Sequence, residues 1–251
     1  MIFYEGKEGS SMKSVVLSLV VVVFSTSVAC AGSIVFSKHN LSSTSSAGGI
    51  YSTETTQVCV FCHTPHNAVY NRLLWNRSIP TTTFKMFTST NFGGVAGSNL
   101  KTILKASVLD TNSTSYMCLS CHDRSAAQLV SDMGPSNGGV TAALVGNTAS
   151  WPTYQITNTG GAGDRSLTDD HPIGFSYGEA VAAVVTVTPS PLKALAAVTP
   201  VLGTGAFFSN STGKTDAMEC ATCHMTHDND NGYFLRISNS GSQLCLACHI
   251  K

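Results

Sequence analysis

The chain has 251 residues, which is enough for one domain or two small ones. Charged residues make up only 11% of it and the formal net charge is +0, so nothing in its charge favours a nucleic-acid partner or a strongly anionic one. Glycine, serine and threonine are abundant and long runs of strong helix formers are few, so its own side chains are poorly suited to a large apolar core.

The N-terminal segment has the pattern of an export signal. Lys13 precedes an apolar run over residues 15–24, and residues 29–31 supply the small side chains typical of a cleavage site. The apolar run is too short to span a bilayer as an anchor. We therefore predict that residues 1–31 comprise upstream sequence and a cleaved signal peptide, and that residues 32–251 form one domain.

Two details of this segment remain open at the level of sequence. The residues before Met12 do not look like the start of a signal peptide, so Met12 is the predicted true start. Cys30 is either removed with the signal or carries a lipid, although Ser27 stands where a lipidation site usually has leucine.

Four copies of Cys-x-x-Cys-His follow, at residues 59–63, 118–122, 220–224 and 245–249, numbered here motifs one to four. Two thiols separated by two residues can reach the two vinyl groups on one haem edge as thioethers, and the adjacent histidine then binds the iron. The sequence therefore predicts four covalent c-type haems. The attaching residues are Cys59, Cys62, Cys118, Cys121, Cys220, Cys223, Cys245 and Cys248, and the proximal ligands are His63, His122, His224 and His249.

Paired cysteines also occur in zinc ribbons and in disulfide frameworks. Zinc ribbons also use Cys-x-x-Cys, but tetrahedral zinc gives no reason for a histidine directly after every second cysteine. A disulfide framework, common in exported chains, leaves the same repeated histidine unexplained.

The number of histidines predicts the remaining iron ligands. The chain has eight histidines, and the four outside the motifs are His39, His66, His171 and His227. Four irons need four distal ligands, so we predict bis-histidine, six-coordinate haems throughout. Met133 or Met225 replacing one distal histidine is the main alternative.

His66 and His227 each follow a proximal histidine by three residues. Residues at this spacing lie close together on one turn, so the second histidine cannot reach the far face of the same haem. If His66 or His227 binds iron, it binds that of a neighbouring haem, and the two haems are held close together.

The regions between the motifs predict little regular structure. Short helical turns are expected over residues 218–224 and 243–249, and the apolar, β-branched residues 180–187 predict a strand. We expect a multihaem cytochrome c fold with low regular secondary structure, short helices at the haem motifs, a few β-strands and a core built from stacked haems. No internal repeat is expected beyond the motifs themselves.

The segment 228–232 has the alternating oxygen ligands of a calcium loop, with Asp228 and Asp230 two residues apart. It lacks the downstream bidentate glutamate of such loops. Calcium therefore remains possible here, and a solvated turn is the preferred interpretation.

Several segments resemble the multihaem c-type cytochromes of metal-reducing bacteria, and among them the tetrahaem cytochromes that form extracellular filaments. These segments are residues 38–42, 59–68, 74–76, 170–176, 220–228 and 245–249. The resemblance implies a polymer of this chain, a nanowire in which one haem takes its distal histidine from the adjacent subunit. His39, remote from the motifs, is the candidate for that ligand.

The function that follows is extracellular electron transfer toward other cytochromes and extracellular acceptors, by a protein secreted across the inner membrane. A soluble periplasmic or surface shuttle is the alternative. An enzyme is not expected, because catalysis at iron needs an open coordination position and eight histidines on four haems leave none.

Overall fold

The computed structural model describes residues 32–68, 72–80, 83–87, 109, 113–123, 129, 133, 140, 144–149, 155–156, 166–184, 190–211 and 213–251. The chain divides into two compact parts, Met1–Gly32 and Ser33–Lys251, and the description concerns the second. The predicted signal peptide, Met12 and Cys30 lie outside the described residues, so those predictions and the domain boundary remain predictions.

Regular elements are few and short in the described part of the chain. The α-helices are α1 (Gly32–Val35), α2 (Ser115–His122), α3 (Tyr177–Val184), α4 (Leu195–Leu202), α5 (Cys220–Cys223) and α6 (Gln243–Cys248). The strands are β1 (Ile50–Tyr51), β2 (Val145–Gly146), β3 (Phe175–Ser176) and β4 (Ala217–Met218). Short 3₁₀ helices cover Cys59–Phe61, Arg72–Leu74 and Ser240–Ser242. The predicted low content of regular structure, with short helices and few strands, is confirmed.

The strands form two small antiparallel pairs. β1 pairs with β2, and Ile50 lies opposite Gly146. A side chain at Gly146 would bring a Cβ to 2.6 Å from the carbonyl oxygen of Gly49, and its φ of 89° also favours glycine. β3 pairs with β4, and Phe175 lies opposite Met218.

In the part of the chain that the structure describes, buried apolar side chains form three separate clusters. The first joins β3, α3, α4 and α6, and includes Cys248 of motif four. The second surrounds Phe61 and has Cys62 and Cys121 packed against it, and the third lies around Leu119 of α2. Each cluster therefore contains or adjoins residues of a haem motif, which is what a fold organised around bound cofactors requires.

The predicted strand over residues 180–187 is wrong where the structure describes it, because residues 177–184 form helix α3. The start of the helix is fixed from outside: the Asp216 carboxylate accepts the amide of Gly178 at 2.7 Å and the Ser176 hydroxyl at 2.9 Å. Tyr177, Ala180 and Val184 are buried at helical spacing. Tertiary capping and packing thus outweigh the strand preference of the valines.

A buried carboxylate links the helices of motifs two and three. Glu219 is 2% exposed and accepts hydrogen bonds from the hydroxyls of Ser113, at 2.6 Å, and Ser115. It also caps α5 reciprocally with Thr222. The Ser115 hydroxyl in turn accepts the amide of Cys220 at 3.0 Å. One side chain therefore fixes the start of α5 against the start of α2.

Replacing Glu219 with alanine should lower the free energy of unfolding by about 2–3 kcal/mol, because two buried hydroxyls lose their acceptor and α5 loses its cap. The matched control is Glu179→Ala, which removes an exposed ion pair with Lys214 and should change stability little. Urea denaturation of the haem-loaded variants measures both. Equal midpoints for the two variants would contradict the role given to Glu219.

None of the helices in the described residues is long and apolar enough to cross a membrane.

Candidate haem-binding site

The four Cys-x-x-Cys-His motifs lie on short helical turns. Motif two lies within α2, motif three opens with α5, and motif four ends α6. Motif one begins with the 3₁₀ helix Cys59–Phe61. Residues three apart share one side of a helical turn, so each pair of cysteines is placed together. All eight motif cysteines are free of disulfides, as thioether attachment requires.

Motifs one and three belong to two copies of the same local structure, here called unit A (residues 59–77) and unit B (residues 220–237). In each unit the chain leaves the motif, turns, and returns to form a β-bridge with the proximal histidine, His63 with Trp75 and His224 with Leu235. The prediction that the chain has no repeat beyond the motifs is therefore wrong. The loops differ in length by one residue, and only a histidine three positions after the proximal one is shared, so the sequence similarity is slight.

The hydrogen bonds of the two units match one for one. The amide after the proximal histidine donates to the returning segment, from Thr64 to Leu74 at 2.9 Å and from Met225 to Phe234 at 2.6 Å. Two residues later, the returning segment donates back to the second cysteine at 2.9 Å in both units. The pattern fixes the backbone on either side of each proximal histidine.

The same loops orient the proximal rings. Nδ1 of His63 lies 2.8 Å from the carbonyl oxygen of Leu73, and Nδ1 of His224 lies 2.8 Å from that of Tyr233. A carbonyl oxygen only accepts, so Nδ1 carries the proton and the Nε2 lone pair is left for a metal. Leu73 and Tyr233 have φ of 53° and 51°, a conformation that side-chain-bearing residues rarely adopt and that the fold imposes here.

Motif four uses the same pair of bonds with a segment that precedes it in the chain. The amide of Ile250 donates to Pro191 at 2.9 Å, and the amide of Lys193 donates to Cys248 at 2.8 Å. Lys193 also donates its ammonium to the carbonyl of Leu246 at 2.6 Å, near the end of α6. The same hydrogen-bond geometry therefore surrounds this proximal histidine, but the bonded segment comes before the motif instead of after it.

Six of the eight histidines come together in three pairs, each joining a proximal histidine to a spare one. The ring centres are 6.0 Å apart for His63 and His227, 6.2 Å for His39 and His122, and 6.4 Å for His171 and His249.

These separations fit a metal ion between each pair. Bonds from imidazole nitrogen to a metal are about 2 Å, so two trans nitrogens lie about 4 Å apart and the ring centres about 6 Å apart. The residues present therefore fit the iron of a c-type haem: an open pair of thiols, a proximal ring and a second ring at the right distance.

The environment keeps several of these rings neutral, as metal binding requires. Burial, with His122 next in effect, lowers the pKa of His39 to about 4. Burial also lowers the pKa of His227 and of His249, with the facing histidine of each pair as the second cause. At neutral pH these imidazoles offer lone pairs without first releasing a proton.

His39 faces a haem motif of its own chain, and this argues against the predicted role as a ligand for an adjacent subunit. Its ring stacks on Phe234 of unit B at 4.2 Å and 15°, donates to the backbone carbonyl of Thr226, and faces His122. The N-terminal segment is thus held over unit B, and the ring is already used within the chain.

His66 and His224 are the two histidines left over. Both are exposed, and in the described residues neither ring contacts another histidine ring. Met225, a predicted alternative ligand, directly follows His224 and so cannot reach the far face of a haem bound there. Met133 packs beside Cys62 and Cys121 in the second apolar cluster, and a histidine faces the proximal ring in both motifs one and two.

The attachment points of motifs two and three adjoin each other. The thiols of Cys118 and Cys220 hydrogen-bond, and this bond raises the pKa of Cys118 and lowers that of Cys220. Trp75 of unit A similarly donates to the Ser120 hydroxyl of α2 at 3.1 Å, which ties motif one to motif two. Motif two therefore adjoins motif three and is tied to unit A through Trp75.

The segment 228–232 is a turn whose polar side chains serve its own backbone. The Asp228 carboxylate accepts the amide of Asp230 at 2.9 Å, and the Asn229 side chain accepts the amide of Phe234 at 2.9 Å. Among the described residues, no group of three or more histidine, cysteine or acidic side chains could hold a metal ion. Neither the calcium interpretation nor the zinc alternative gains support.

One protein family, described as the doubled CXXCH motif, matches residues 214–251, which contain motifs three and four. No curated protein matches the chain. Together with the four motifs, the match supports a multihaem c-type cytochrome that binds haem c covalently and transfers electrons. Two of the three histidine pairs involve motifs one and two, which lie outside the matched residues.

Proposed function

We propose that this chain binds four bis-histidine haems and conducts electrons as the protomer of a filament. The observation that carries the proposal is the set of three histidine pairs, each joining a motif to a histidine distant in sequence. When bound, haem c supplies the redox chemistry. The paired histidines would hold the iron on both sides, and the loops of units A and B orient the rings of His63 and His224 through Nδ1.

The contact between units A and B supports the proposal of a filament. His227, the downstream histidine of unit B, faces His63, the proximal histidine of unit A. The contact is head-to-tail, because the reciprocal pair of His66 with His224 is not formed in the chain. Within the chain, the downstream histidine of one unit faces the proximal histidine of the other. If unit A of one copy meets unit B of the next copy in the same way, the downstream His66 faces the proximal His224. Head-to-tail contacts that do not close into a ring give open filaments.

This pairing changes the proposed ligand in trans from His39 to His66. It also uses every histidine once: three irons are six-coordinate within one chain, and the iron of motif three becomes six-coordinate only in the assembled filament. Leu73 and Leu74, in the returning segment of unit A, are 61% and 49% exposed and would be available to a contact between copies.

The shared ligands support a continuous conductor with stacked haems as its core. A histidine of unit B on the iron of unit A brings the haems of motifs one and three together, and the adjoining thiols of Cys118 and Cys220 bring together the attachment edges of the haems of motifs two and three. The division of the described apolar residues into three small clusters, each beside a haem motif, is consistent with a core that the haems would complete.

We propose an extracellular or outer-surface location and a role similar to that of the filament-forming outer-membrane cytochrome E. The partners are further copies of the chain, other cytochromes and extracellular electron acceptors. Nucleic acid is not among them. A soluble periplasmic or surface shuttle is the second candidate, favoured only if His66 and His224 find ligands without assembly.

Electron microscopy of haem-containing material sheared from cells that express the full chain tests the proposal. We expect thin filaments with a regular repeat, and an intact protein mass that includes four haems. Discrete small particles with four low-spin haems would contradict the filament and support the shuttle. A mass with fewer haems would contradict the tetrahaem assignment.

A further inference from the structure

Arg77 is a buried cation without an anion in the part of the chain that the structure describes. It is 0% exposed, and its Nε, Nη1 and Nη2 atoms have no hydrogen-bond partner there. Burying an unpaired guanidinium costs several kcal/mol, so a stable protein pairs such a group. The position therefore calls for a buried acceptor of negative charge.

The surroundings place this cation beside motifs one and two. Arg77 forms a β-bridge with Met133, which packs with Cys62 and Cys121 on the second apolar cluster. Burial raises the pKa of Cys62 to about 12, and the positive charge of Arg77 opposes that rise. The guanidinium thus lies where haems attached to these cysteines are to be accommodated.

Unit B offers a comparison, because it also carries an arginine in its returning segment. Arg236 donates from Nε to the carbonyl of Ala221 at 2.8 Å and from Nη2 to the carbonyl of Gly205 at 3.2 Å. In unit A the equivalent bond to a motif carbonyl is made by Asn76, which donates to Val60 at 2.7 Å. Arg77 is one residue further on and is not needed for that scaffold.

We propose that Arg77 binds a propionate carboxylate of a haem attached at motif one or motif two. The inference rests on the proposed haem loading but not on filament assembly. A guanidinium presents parallel N–H donors that match the two oxygens of a carboxylate, which a neutral side chain or lysine cannot do. The pair anchors the haem edge opposite the thioethers and places a positive charge close to that haem.

Solid-state NMR of the haem-loaded wild-type protein tests the contact directly. Feeding 5-aminolevulinate labelled with ¹³C at its carboxyl carbon labels the haem propionates, and ¹⁵N-arginine labels the five guanidinium groups. In the fully reduced, diamagnetic protein we expect a strong ¹³C–¹⁵N dipolar coupling at hydrogen-bonding range. Arg77→Lys should remove this coupling, while Arg236→Lys should retain it. No coupling in wild type, or its persistence in Arg77→Lys, would overturn the proposal.

The reduction potential provides a second measurement. Arg77→Met should shift the reduction equilibrium of one haem about tenfold toward the oxidised form, about 59 mV for a one-electron couple, and Arg236→Met should not. A potential in wild type that follows chloride or phosphate concentration, without the NMR coupling, would assign a solvent anion instead and overturn the proposal. Haem content is measured first, so failure of haem loading is distinguished from failure of this contact. If Arg77→Met does not mature, the wild-type coupling decides.

Discussion

Replacing His66 with alanine is expected to abolish filaments and to leave discrete particles in which one haem per chain is high-spin. The three histidine pairs within the chain do not involve His66, so the particles should keep three low-spin haems. The haem of motif three loses its distal ligand because, among the described residues, the His224 ring forms no pair like those of the other three proximal rings. Electron microscopy measures the assembly, and the ferric electron paramagnetic resonance spectrum measures the spin states.

The control for this variant is His66→Met, which offers a thioether in place of the imidazole. A thioether binds haem iron and raises its potential, so we expect a low-spin haem of higher potential and partial recovery of filaments. Filaments of His66→Ala with four low-spin haems would contradict the assignment of His66 as the ligand in trans.

Mixing the His66→Ala variant with wild-type protein tests the head-to-tail arrangement, because a head-to-tail filament has two different ends. A His66→Ala copy can accept the histidine of a wild-type copy at motif three but cannot donate one. Small amounts added during assembly of wild-type protein should therefore shorten filaments in proportion to the fraction added. An isologous contact would instead stop at dimers and show no such dependence.

The chemistry of the motifs could be predicted from the sequence because it is local. Two cysteines and a histidine within five residues define an attachment site whatever the rest of the chain does. The short helices expected at residues 218–224 and 243–249 are found as α5 and α6 for the same reason, although residues 217–218 belong to β4.

The rest of the site depends on contacts between distant parts of the chain. His227 meets His63, and His39 meets His122, across long stretches that no periodicity connects. The counting of histidines gave the number of ligands, but only the fold gives their pairing. The strand predicted where helix α3 lies was wrong for a related reason. The helix is capped by Asp216, which comes much later in the chain.

Units A and B share a sequence feature that does not by itself reveal a structural repeat. Both motifs one and three are followed by a histidine at the same distance, and both returning segments place a side-chain donor on the second residue of the motif. The donors are Asn76 and Arg236, which share no chemical resemblance beyond an N–H group. The two units therefore share their hydrogen-bond geometry, but the residues that make the bonds differ, so a comparison of sequences does not detect the repeat.

Replacing His39 with alanine is expected to open one coordination position without dissolving the filament. His39 faces His122 within its own chain, so the haem of motif two should become high-spin and bind carbon monoxide, about one per chain, where the wild type binds none. The contact between copies through His66 and His224 is unaffected. Carbon monoxide difference spectra and electron microscopy of the same preparation measure the two effects.

Phe234→Leu is the matched control, because it removes the ring stacked on His39 at 4.2 Å and leaves the imidazole in place. We expect this variant to keep four low-spin haems, since the stacking orients the ligand but does not bind iron. The opposite result for His39→Ala, loss of filaments with motif two still low-spin, would mean that His39 crosses between copies. The histidine pair seen within the chain would then belong to the unassembled protein alone, and the order of the haems along the filament would have to be redrawn through His39.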